Sequence, residues 1–478
     1  MSNARPTEHG SAVASRAWAA LVVASIAQLV VALDATIVNV ALPSAQKVLG
    51  FDDVDRAWVV TAYTLPFAGL LLLGGRIVDR VGQRAALLGA MSGFAAASAL
   101  AGAAPGLGLL VTGRALQGAC AAVMAPAALS TVATSFTDPR LRGKAFGVFG
   151  AVASGGAVVG LLLGGVLTET LGWRWCLLVN VAVCIPVALV GRTLLPSRSG
   201  DRRARLDVPS AVLATAGLVG LVLGCSRAAQ LGWASPSVVV SLLAGAALTA
   251  AFFVRQSVVE SPLLPLDILR DRVRVAAYLA CAAGVLAMFG AFLMLTYYYQ
   301  AVLGYSPART GLAFVPMTLA VVTSAYGLAS RLMHRVAPAL LVVPGLVVCA
   351  AGLALLSTLD ASSGYLTSIL PGEVLAGAGI GCVVTPSVAA ATSRVDPRRI
   401  GIASAVANVA MQAGASVGTA VLNTVAVHGT GGSTGAEALV RGYTAAAAWS
   451  AGLLLLAAVI VSALLVPARG ETSRVGPG

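Results

Sequence analysis

The sequence predicts an all-α membrane protein with fourteen transmembrane helices. Hydrophobic residues make up 58% of the 478 residues and charged residues only 10%, and the mean hydropathy is +0.91. About 20 apolar residues span the hydrocarbon core of a bilayer as a helix, and a chain inside lipid must satisfy its own backbone hydrogen bonds. We therefore expect each apolar stretch of that length to be a helix. The predicted spans are 18–42, 57–75, 85–104, 107–130, 145–167, 176–191, 209–226, 236–254, 275–299, 311–330, 338–358, 365–392, 401–425 and 442–466.

The distribution of Lys and Arg orients these helices. Cytoplasmic loops of membrane proteins are enriched in both residues. If both termini are cytoplasmic, most of the 31 Lys and Arg residues fall on the inner side. The net charge of +13 then marks the cytoplasmic face, and we expect no nucleic-acid partner because no basic domain could bind one. We expect a multi-pass protein of the cytoplasmic (inner) membrane with both termini in the cytoplasm.

An internal repeat predicts the domain organisation. In segments 118–145 and 379–403, Pro126 matches Pro386, and the string Asp-Pro-Arg occurs at 138–140 and again at 396–398. Both copies leave a span through a basic cytoplasmic loop, so they predict two parallel six-helix repeats, although two short loops could also match by chance. We expect spans 1–6 and 9–14 to form the repeats and spans 7–8 to be a two-helix insert. The expected segments are a cytoplasmic tail 1–17, a first half 18–195, a linker and insert 196–274, a second half 275–466 and a cytoplasmic tail 467–478.

The loop between spans 2 and 3 combines an acid with several arginines. It contains Gly75, Asp79, Arg80, Gly82 and Arg84, and it resembles motif A of the major facilitator superfamily. A carboxylate among arginines at a helix end can join two helices through charge pairs and helix dipoles. We expect this cluster to favour one state of a two-state transporter; an ordinary basic inner loop is the alternative.

Asp34 is the acid that lies deepest in a predicted span. An acid inside a membrane helix is costly and is a functional candidate by default, and reversible protonation suits a proton carrier. The segment 33–43, LDATIVNVALP, resembles the signature of the fourteen-span drug:proton antiporter family. The resemblance implies that Asp34 couples transport to protons. The alternative is a solvated acid at the outer membrane surface.

Arg114 is the basic residue that we place inside a span. Its segment 110–118, LVTGRALQG, resembles motif B of the same superfamily, which implies a role for Arg114 in proton coupling. A buried guanidinium needs an acceptor, and Asp34 is the obvious acid. Gln117 lies one helical turn later and can share the polar face, and Gly118 ends the motif. The alternative is an arginine that extends to the outer surface.

Span 5 carries regularly spaced glycines, Gly156, Gly160, Gly164 and Gly165. Small residues at i, i+4 and i+8 let two helices approach closely. The pattern resembles motif C, which marks exporters, although Leu161 stands where that motif usually has proline. Plain glycine-mediated packing is the alternative interpretation.

Together these features predict a proton-coupled antiporter that exports amphipathic or hydrophobic small molecules, including drugs and antibiotics, by alternating access. The sequence has no phosphate-binding loop of the ATPase type, so we expect a proton gradient as energy source, no cofactor or metal, no ATPase subunit and no enzyme activity. The expected partners of this monomer are protons, a small-molecule substrate and the lipid bilayer. The alternatives are a dedicated exporter of one endogenous metabolite, an importer, or a polytopic membrane enzyme or sensor.

The candidate residues of the substrate cavity are polar side chains within or beside the predicted spans. Glu373, near the outer end of span 12, is the second acid in a span. Because an uncompensated charge is costly in an apolar cavity, we expect neutral or monocationic compounds to be exported better than rigid dications. The candidates are Asn39, Gln117, Gln300, Glu373, Asn408 and Gln412.

Overall fold

The computed structural model describes residues 7–52, 55–136, 138–195, 200, 206–260, 262–333, 335–393, 400–430 and 435–465. Within these ranges every regular element is a helix and none is a strand. The α-helices are α1 (Thr7–Leu49), α2 (Arg56–Val81), α3 (Gln83–Gly102), α4 (Leu107–Ser135), α5 (Pro139–Thr170), α6 (Trp175–Leu194), α7 (Val208–Leu231), α8 (Pro236–Val258), α9 (Arg272–Tyr297), α10 (Pro307–Ala313), α11 (Val315–Val322), α12 (Ser330–Leu332), α13 (Ala339–Leu356), α14 (Leu370–Thr392), α15 (Ile400–Gly429) and α16 (Ala436–Leu465).

Thirteen helices among the described residues are long and apolar enough to cross a membrane. The fifth predicted span, 145–167, lies within α5, of which Val159–Thr170 counts as a shorter apolar helix. The tenth span is a broken helix, Pro307–Leu332, in which a π-helical segment, Thr323–Ala329, separates α11 from α12. The prediction of an all-α, multi-pass membrane protein is therefore confirmed.

Some sequence predictions lie outside the described residues. These are residues 1–6 of the N-terminal tail, the C-terminal tail 467–478 and the second copy of the Asp-Pro-Arg string at 396–398.

The helices of the predicted insert are poorly buried, and α8 is the least buried of the thirteen candidate spans. Only 28% of the apolar window of α7 and 17% of that of α8 is covered by protein. On α8, Val240 and Leu243 are 64% and 65% exposed. A contiguous apolar surface of this kind marks an interaction site, and for a helix of membrane-spanning length that partner is lipid.

The chain divides into two compact units. The first consists of the residues up to Thr215 together with the short segment Tyr305–Leu312. In it α1 packs on α4, α5 and α6, and α3 packs on α4 and α6, while α2 lies along α4. Gly82, between α2 and α3, has φ +88°, a conformation that favours glycine and allows the sharp turn between these helices.

The second unit consists of Ala216–Gly304 and the residues from Ala313 onward. In it α9 packs on α14, α15 and α16, and α13 packs on α14 and α16, while α11 lies along α14. Five long helices of the first unit thus have counterparts in the second unit with an equivalent set of neighbours: α1 corresponds to α9, α3 to α13, α4 to α14, α5 to α15 and α6 to α16. The partner of α4, α2, corresponds to the broken helix that contains α11.

Candidate functional site

A buried ion pair lies at the centre of the first unit. Asp34 on α1 is 0% exposed and Arg114 on α4 is 1% exposed, and Nη1 of Arg114 donates to Oδ2 of Asp34. The predicted pairing of these two residues is therefore present. Removing one partner of such a pair strands the other charge in an apolar interior.

The remaining carboxylate oxygen of Asp34 accepts two amide hydrogen bonds. Nδ2 of Asn180, on α6, lies 2.7 Å from Oδ1, and Nε2 of Gln117 lies 3.0 Å from the same atom. Asp34 thus faces three donors from two other helices. This donor set matches an ionised carboxylate, because each of its hydrogen bonds is accepted and none is donated.

Arg114 is also held by groups besides Asp34. Its Nε donates to the carbonyl oxygen of Val59 at 3.1 Å, and its Nη1 lies 3.0 Å from Oε1 of Gln117. The guanidinium carbon lies 4.5 Å from the ring centroid of Tyr63, which is within the range of a cation–π contact. These contacts hold the Arg114 guanidinium in one orientation.

Gln117 connects the ion pair to a third helix. Its Oε1 accepts from Arg114, while its Nε2 donates both to Asp34 and, at 2.7 Å, to Oγ of Ser98 on α3. Side chains from α1, α3, α4 and α6, and the α2 backbone, therefore converge on one polar network in an apolar interior. Fully satisfied networks of this kind are rigid.

Gly118 allows α2 to come close to this network. A Cβ at position 118 would overlap the backbone carbonyl oxygen of Tyr63. Glycine at 118 therefore lets α2 and α4 touch, which places the Tyr63 ring beside the guanidinium of Arg114.

Asn180 and Ser98 were not assigned a role from the sequence. Asn180 stands out as the amide side chain in the otherwise apolar segment 175–191 of α6, which is a usable signal for a polar contact between helices. Ser98 carries no such signal, because small hydroxyl residues are frequent in membrane helices and usually bond to their own backbone.

The glycines of α5 lie against α1 on both sides of Asp34. A Cβ at Gly156 would meet Leu29 and Ala32, one at Gly160 would meet Leu33 and Thr36, and one at Gly164 would meet Ile37. The spacing therefore produces the close helix approach that the sequence predicted, and it fixes the turn of α1 that carries Asp34.

We expect Gly160→Ala to destabilise the protein and Gly155→Ala to have the opposite effect. A Cβ at 160 would lie 2.8 Å from the carbonyl oxygen of Leu33, whereas a Cβ at 155 would meet nothing within 4 Å. Overpacking costs about 1–3 kcal/mol, while removing an unneeded helical glycine gains roughly 0.5–1 kcal/mol. Thermal unfolding of the two purified variants measures both effects. Equal unfolding temperatures would contradict the assigned α1–α5 contact.

The fourth glycine of the motif has a different neighbour. A Cβ at Gly165 would lie 2.6 Å from the carbonyl oxygen of Pro307. Nearby, Oε2 of Glu169 accepts a hydrogen bond from the backbone nitrogen of Ala308 at 3.1 Å. Leu161, at the position where motif C usually has proline, is buried at 1% exposure, and α5 continues through it. Within the first unit, the end of α5 therefore packs on the segment Tyr305–Leu312.

The motif A residues lie at the end of α2 and the start of α3. Asp79 and Arg80 are exposed, and no described residue forms an ion pair with Asp79. Arg84 donates instead to the backbone carbonyl of Arg192 near the end of α6. A Cβ at Gly75 would meet nothing within 4 Å. One link from this loop to another helix is therefore a cation at a helix carboxyl end, which is a favourable position for positive charge. A second link runs to α4, because Oε1 of Gln83 accepts a hydrogen bond from the Thr134 hydroxyl at 2.8 Å.

The cavity candidates belong to both units: Asn39 and Gln117 lie in the first, and Gln300, Glu373, Asn408 and Gln412 lie in the second. Nδ2 of Asn39 donates to its own helix, at the carbonyl of Ala35. Asn408 is exposed, and Gln300 and Gln412 are partly exposed. Gln117 belongs to the Asp34 network described above.

Glu373 is buried in the second unit. It lies in the first turn of α14 and is 0% exposed, and its Oε1 accepts a hydrogen bond from the Tyr299 hydroxyl at 2.7 Å. No group of three or more His, Cys, Asp or Glu residues in the described part of the chain could hold a metal ion.

Comparison with known proteins identifies the family. The sequence profile of the Major Facilitator Superfamily matches residues 24–419. The chain belongs to this superfamily of membrane transporters, so it is a transporter and not an enzyme. The resemblance inferred from the motifs is thereby confirmed.

Relatives of similar length have names that refer to antibiotic resistance or export. A puromycin resistance protein of Streptomyces alboniger is 47% identical, with 96% of this chain and 93% of the relative covered. A cephamycin export protein of Amycolatopsis lactamdurans is 41% identical, with 88% of this chain and 87% of the relative covered. A multidrug efflux pump of Mycolicibacterium smegmatis is 32% identical, with 86% of this chain and 81% of the relative covered.

Solved structures share the fold. A peptide transporter crystallised with sulfate superimposes with a TM-score of 0.68 at 17% identity, covering 94% of each chain. A bacterial homologue of the human lysosomal transporter Spinster has a TM-score of 0.65 at 16% identity, covering 95% of this chain and 99% of the homologue.

Proposed function

We propose that this transporter exports amphipathic or hydrophobic small molecules, antibiotics among them, in exchange for protons. The observation that carries the proposal is the buried Asp34–Arg114 pair, since an acid enclosed in membrane helices is a functional group by default. The resistance and export proteins among its relatives support the direction of transport. Asp34 is the group that takes up and releases the proton, and Arg114 alternates between pairing with it and leaving it.

The architecture belongs to the same proposal. Fourteen transmembrane helices, with α5 as the fourteenth beside the thirteen apolar ones, cross the cytoplasmic membrane with both termini in the cytoplasm. The repeats 18–195 and 275–466 flank the insert 196–274, and the equivalent helix pairing of the two units supports this division. The solute crosses the membrane by alternating access, with the proton gradient as energy source and the monomer as the working form.

Dye accumulation in energised cells tests the proposal. Cells that express the protein should accumulate less of a fluorescent amphipathic dye than control cells. An uncoupler that collapses the proton gradient should abolish the difference. Higher accumulation in expressing cells would indicate an importer, and accumulation that is independent of both expression and uncoupler would contradict the proposal.

A dedicated exporter of one compound is a second candidate, favoured by the relatives that are named for single antibiotics. A panel of structurally unrelated compounds separates the two candidates. A multidrug exporter lowers the accumulation of several of them, and a dedicated exporter lowers only one.

We expect Asp79→Ala to shift the protein toward its inward-facing state and to slow turnover. We propose that Asp79 and the arginines around it favour the outward-facing state by joining helices on the cytoplasmic side, and that Asp79 gains in that state an ion pair that it lacks among the described residues of this conformation. Single reporter cysteines in a background without the seven native cysteines measure accessibility from each side. Asp79→Glu, which keeps the charge, should label like the parent protein. Unchanged labelling of Asp79→Ala on both sides would mean that this loop only directs membrane topology.

A further inference from the structure

The second unit contains a buried acid whose surroundings differ from those of Asp34. Glu373 is 0% exposed, and it receives one hydrogen bond, from the hydroxyl of Tyr299 to Oε1. Its Oε2 has no hydrogen-bond partner among the described residues. An ionised carboxylate accepts about four hydrogen bonds, so this environment leaves most of that capacity unused.

Among the described residues of the second unit, no cation is hydrogen-bonded or ion-paired to Glu373. The helices packed on α14 are α9, α11, α13 and α15, together with the π-helical segments Thr323–Ala329 and Tyr365–Ile369. Arg274, at the start of α9, pairs with Asp271 and lies about 38 Å along the helix from Tyr299. His428, near the end of α15, faces the carbonyl of Thr424. The remaining titratable groups on these elements and on α14 itself are Arg272, Tyr278, Cys281, Tyr297, Tyr298, Tyr299, Tyr326, Cys349, Tyr365 and Cys382.

The neutral acid fits this environment and the carboxylate does not. A buried charge requires a partner of opposite charge or several donors, and Glu373 has one neutral donor. In this conformation the carboxyl group therefore carries a proton.

Aromatic rings surround the hydroxyl donor. The ring of Tyr299 lies 5.4 Å from that of Phe314 and 6.2 Å from that of Tyr365, between centroids. Tyr299 and Tyr365 both lie on π-helical turns, Tyr298–Val302 and Tyr365–Ile369, which are frequent at functional sites. Aromatic faces next to a carboxylate attract organic cations through both the ring quadrupole and the charge.

We propose that Glu373 is a second proton-binding site, at which a monovalent organic cation replaces the proton during the transport cycle. The inference rests on the proposed export function and adds a substrate class to it. When the cation arrives, the O–H bond of Glu373 breaks and the proton leaves to water. The site is neutral before and after the exchange, first as an acid and then as a carboxylate paired with the cation. Substrate binding and proton release are thereby linked at one residue.

Infrared spectroscopy of the purified protein tests whether Glu373 carries a proton. At neutral pH the wild type should show the carbonyl stretching band of a protonated carboxylic acid. Glu373→Gln should lose this band, Asp34→Asn should keep it, and Tyr299→Phe should shift it because the hydrogen bond to the carboxyl is lost. The elution profile in size-exclusion chromatography verifies that each variant is folded. A spectrum of folded Glu373→Gln that equals that of the wild type would overturn the proposal, and an unshifted band in Tyr299→Phe would overturn the assigned contact.

Proton release on cation binding tests whether an organic cation replaces the proton of Glu373. Ethidium, a monovalent organic cation, is added to weakly buffered wild-type protein in detergent, and the released protons are counted. Glu373→Gln should release fewer protons than the wild type, and Asp34→Asn should still release the proton of Glu373. Equal release from Glu373→Gln and wild type, or no release from the wild type, would overturn the exchange. Because this measurement requires binding and no transport, it separates failure of the inference from failure of the export function.

Discussion

Asp34→Asn should abolish uphill export while downhill movement of the substrate continues. Asparagine has the shape of aspartate but carries no exchangeable acid proton, so the transporter loses the group that links the substrate to the proton gradient. In the wild type, Arg114, Gln117 and Asn180 all donate hydrogen bonds to the Asp34 carboxylate. The amide nitrogen of the introduced asparagine is itself a donor and cannot accept any of them. Dye uptake into inverted membrane vesicles, with and without a proton gradient, measures the two modes separately.

Asp52→Asn is the matched control for this result. Asp52 is exposed beyond the end of α1, so its substitution removes the same charge without touching the network. We expect gradient-driven uptake in this variant to equal that of the wild type. An Asp34→Asn protein that pumps normally against a gradient would show that another group carries the proton.

Arg114→Ala should destabilise the protein more than any single substitution of an exposed residue. The substitution leaves Asp34 buried with two neutral amide donors and no cation, and breaking a buried pair from one side costs about 3–5 kcal/mol. It also removes the donor to the Val59 carbonyl and the contact with the Tyr63 ring. Gradient-driven export should be lost together with the stability.

A double-mutant cycle isolates the contribution of the pair. The protein with both Asp34→Asn and Arg114→Ala should be more stable than the sum of the single effects predicts, because neither charge is then left unpaired. Arg114→Lys should not restore the wild type, since lysine lacks the guanidinium geometry that reaches Asp34, Gln117 and the Val59 carbonyl together. Thermal unfolding of the four proteins gives the coupling free energy. Strictly additive effects would contradict the direct contact.

Residue spacing along single helices predicted much of this site. Arg114 and Gln117 lie one turn apart and therefore share a face, and the glycines of α5 recur every four residues, so both sets could be placed on helix faces without a structure. The need of a buried guanidinium for an acid then selected Asp34. The contributions of Ser98 on α3 and Asn180 on α6 depend on which helices become neighbours in the folded unit, and no local pattern encodes that.

Charge composition was a weaker guide than spacing. The arginines around Asp79 predicted charge pairs between helices, but in the described residues the contact to α6 is made by Arg84 and a backbone carbonyl. Exposed ion pairs contribute little free energy, so composition alone does not determine which of several pairings forms. The sequence likewise placed Glu373 near the end of a span, but it did not predict that the side chain is completely buried and hydrogen-bonded to Tyr299, which lies 74 residues earlier in the chain.

Proton movement driven by substrate is the most direct test of the central claim, which is that the Asp34 network couples export to protons. Proteoliposomes that contain the purified protein and an internal pH indicator start without a pH gradient, and a substrate gradient is then imposed across the membrane. The wild type should move protons against the direction of substrate flow, and Asp34→Asn should move the substrate downhill without protons. Substrate flow in the wild type with no change of internal pH would contradict the claim.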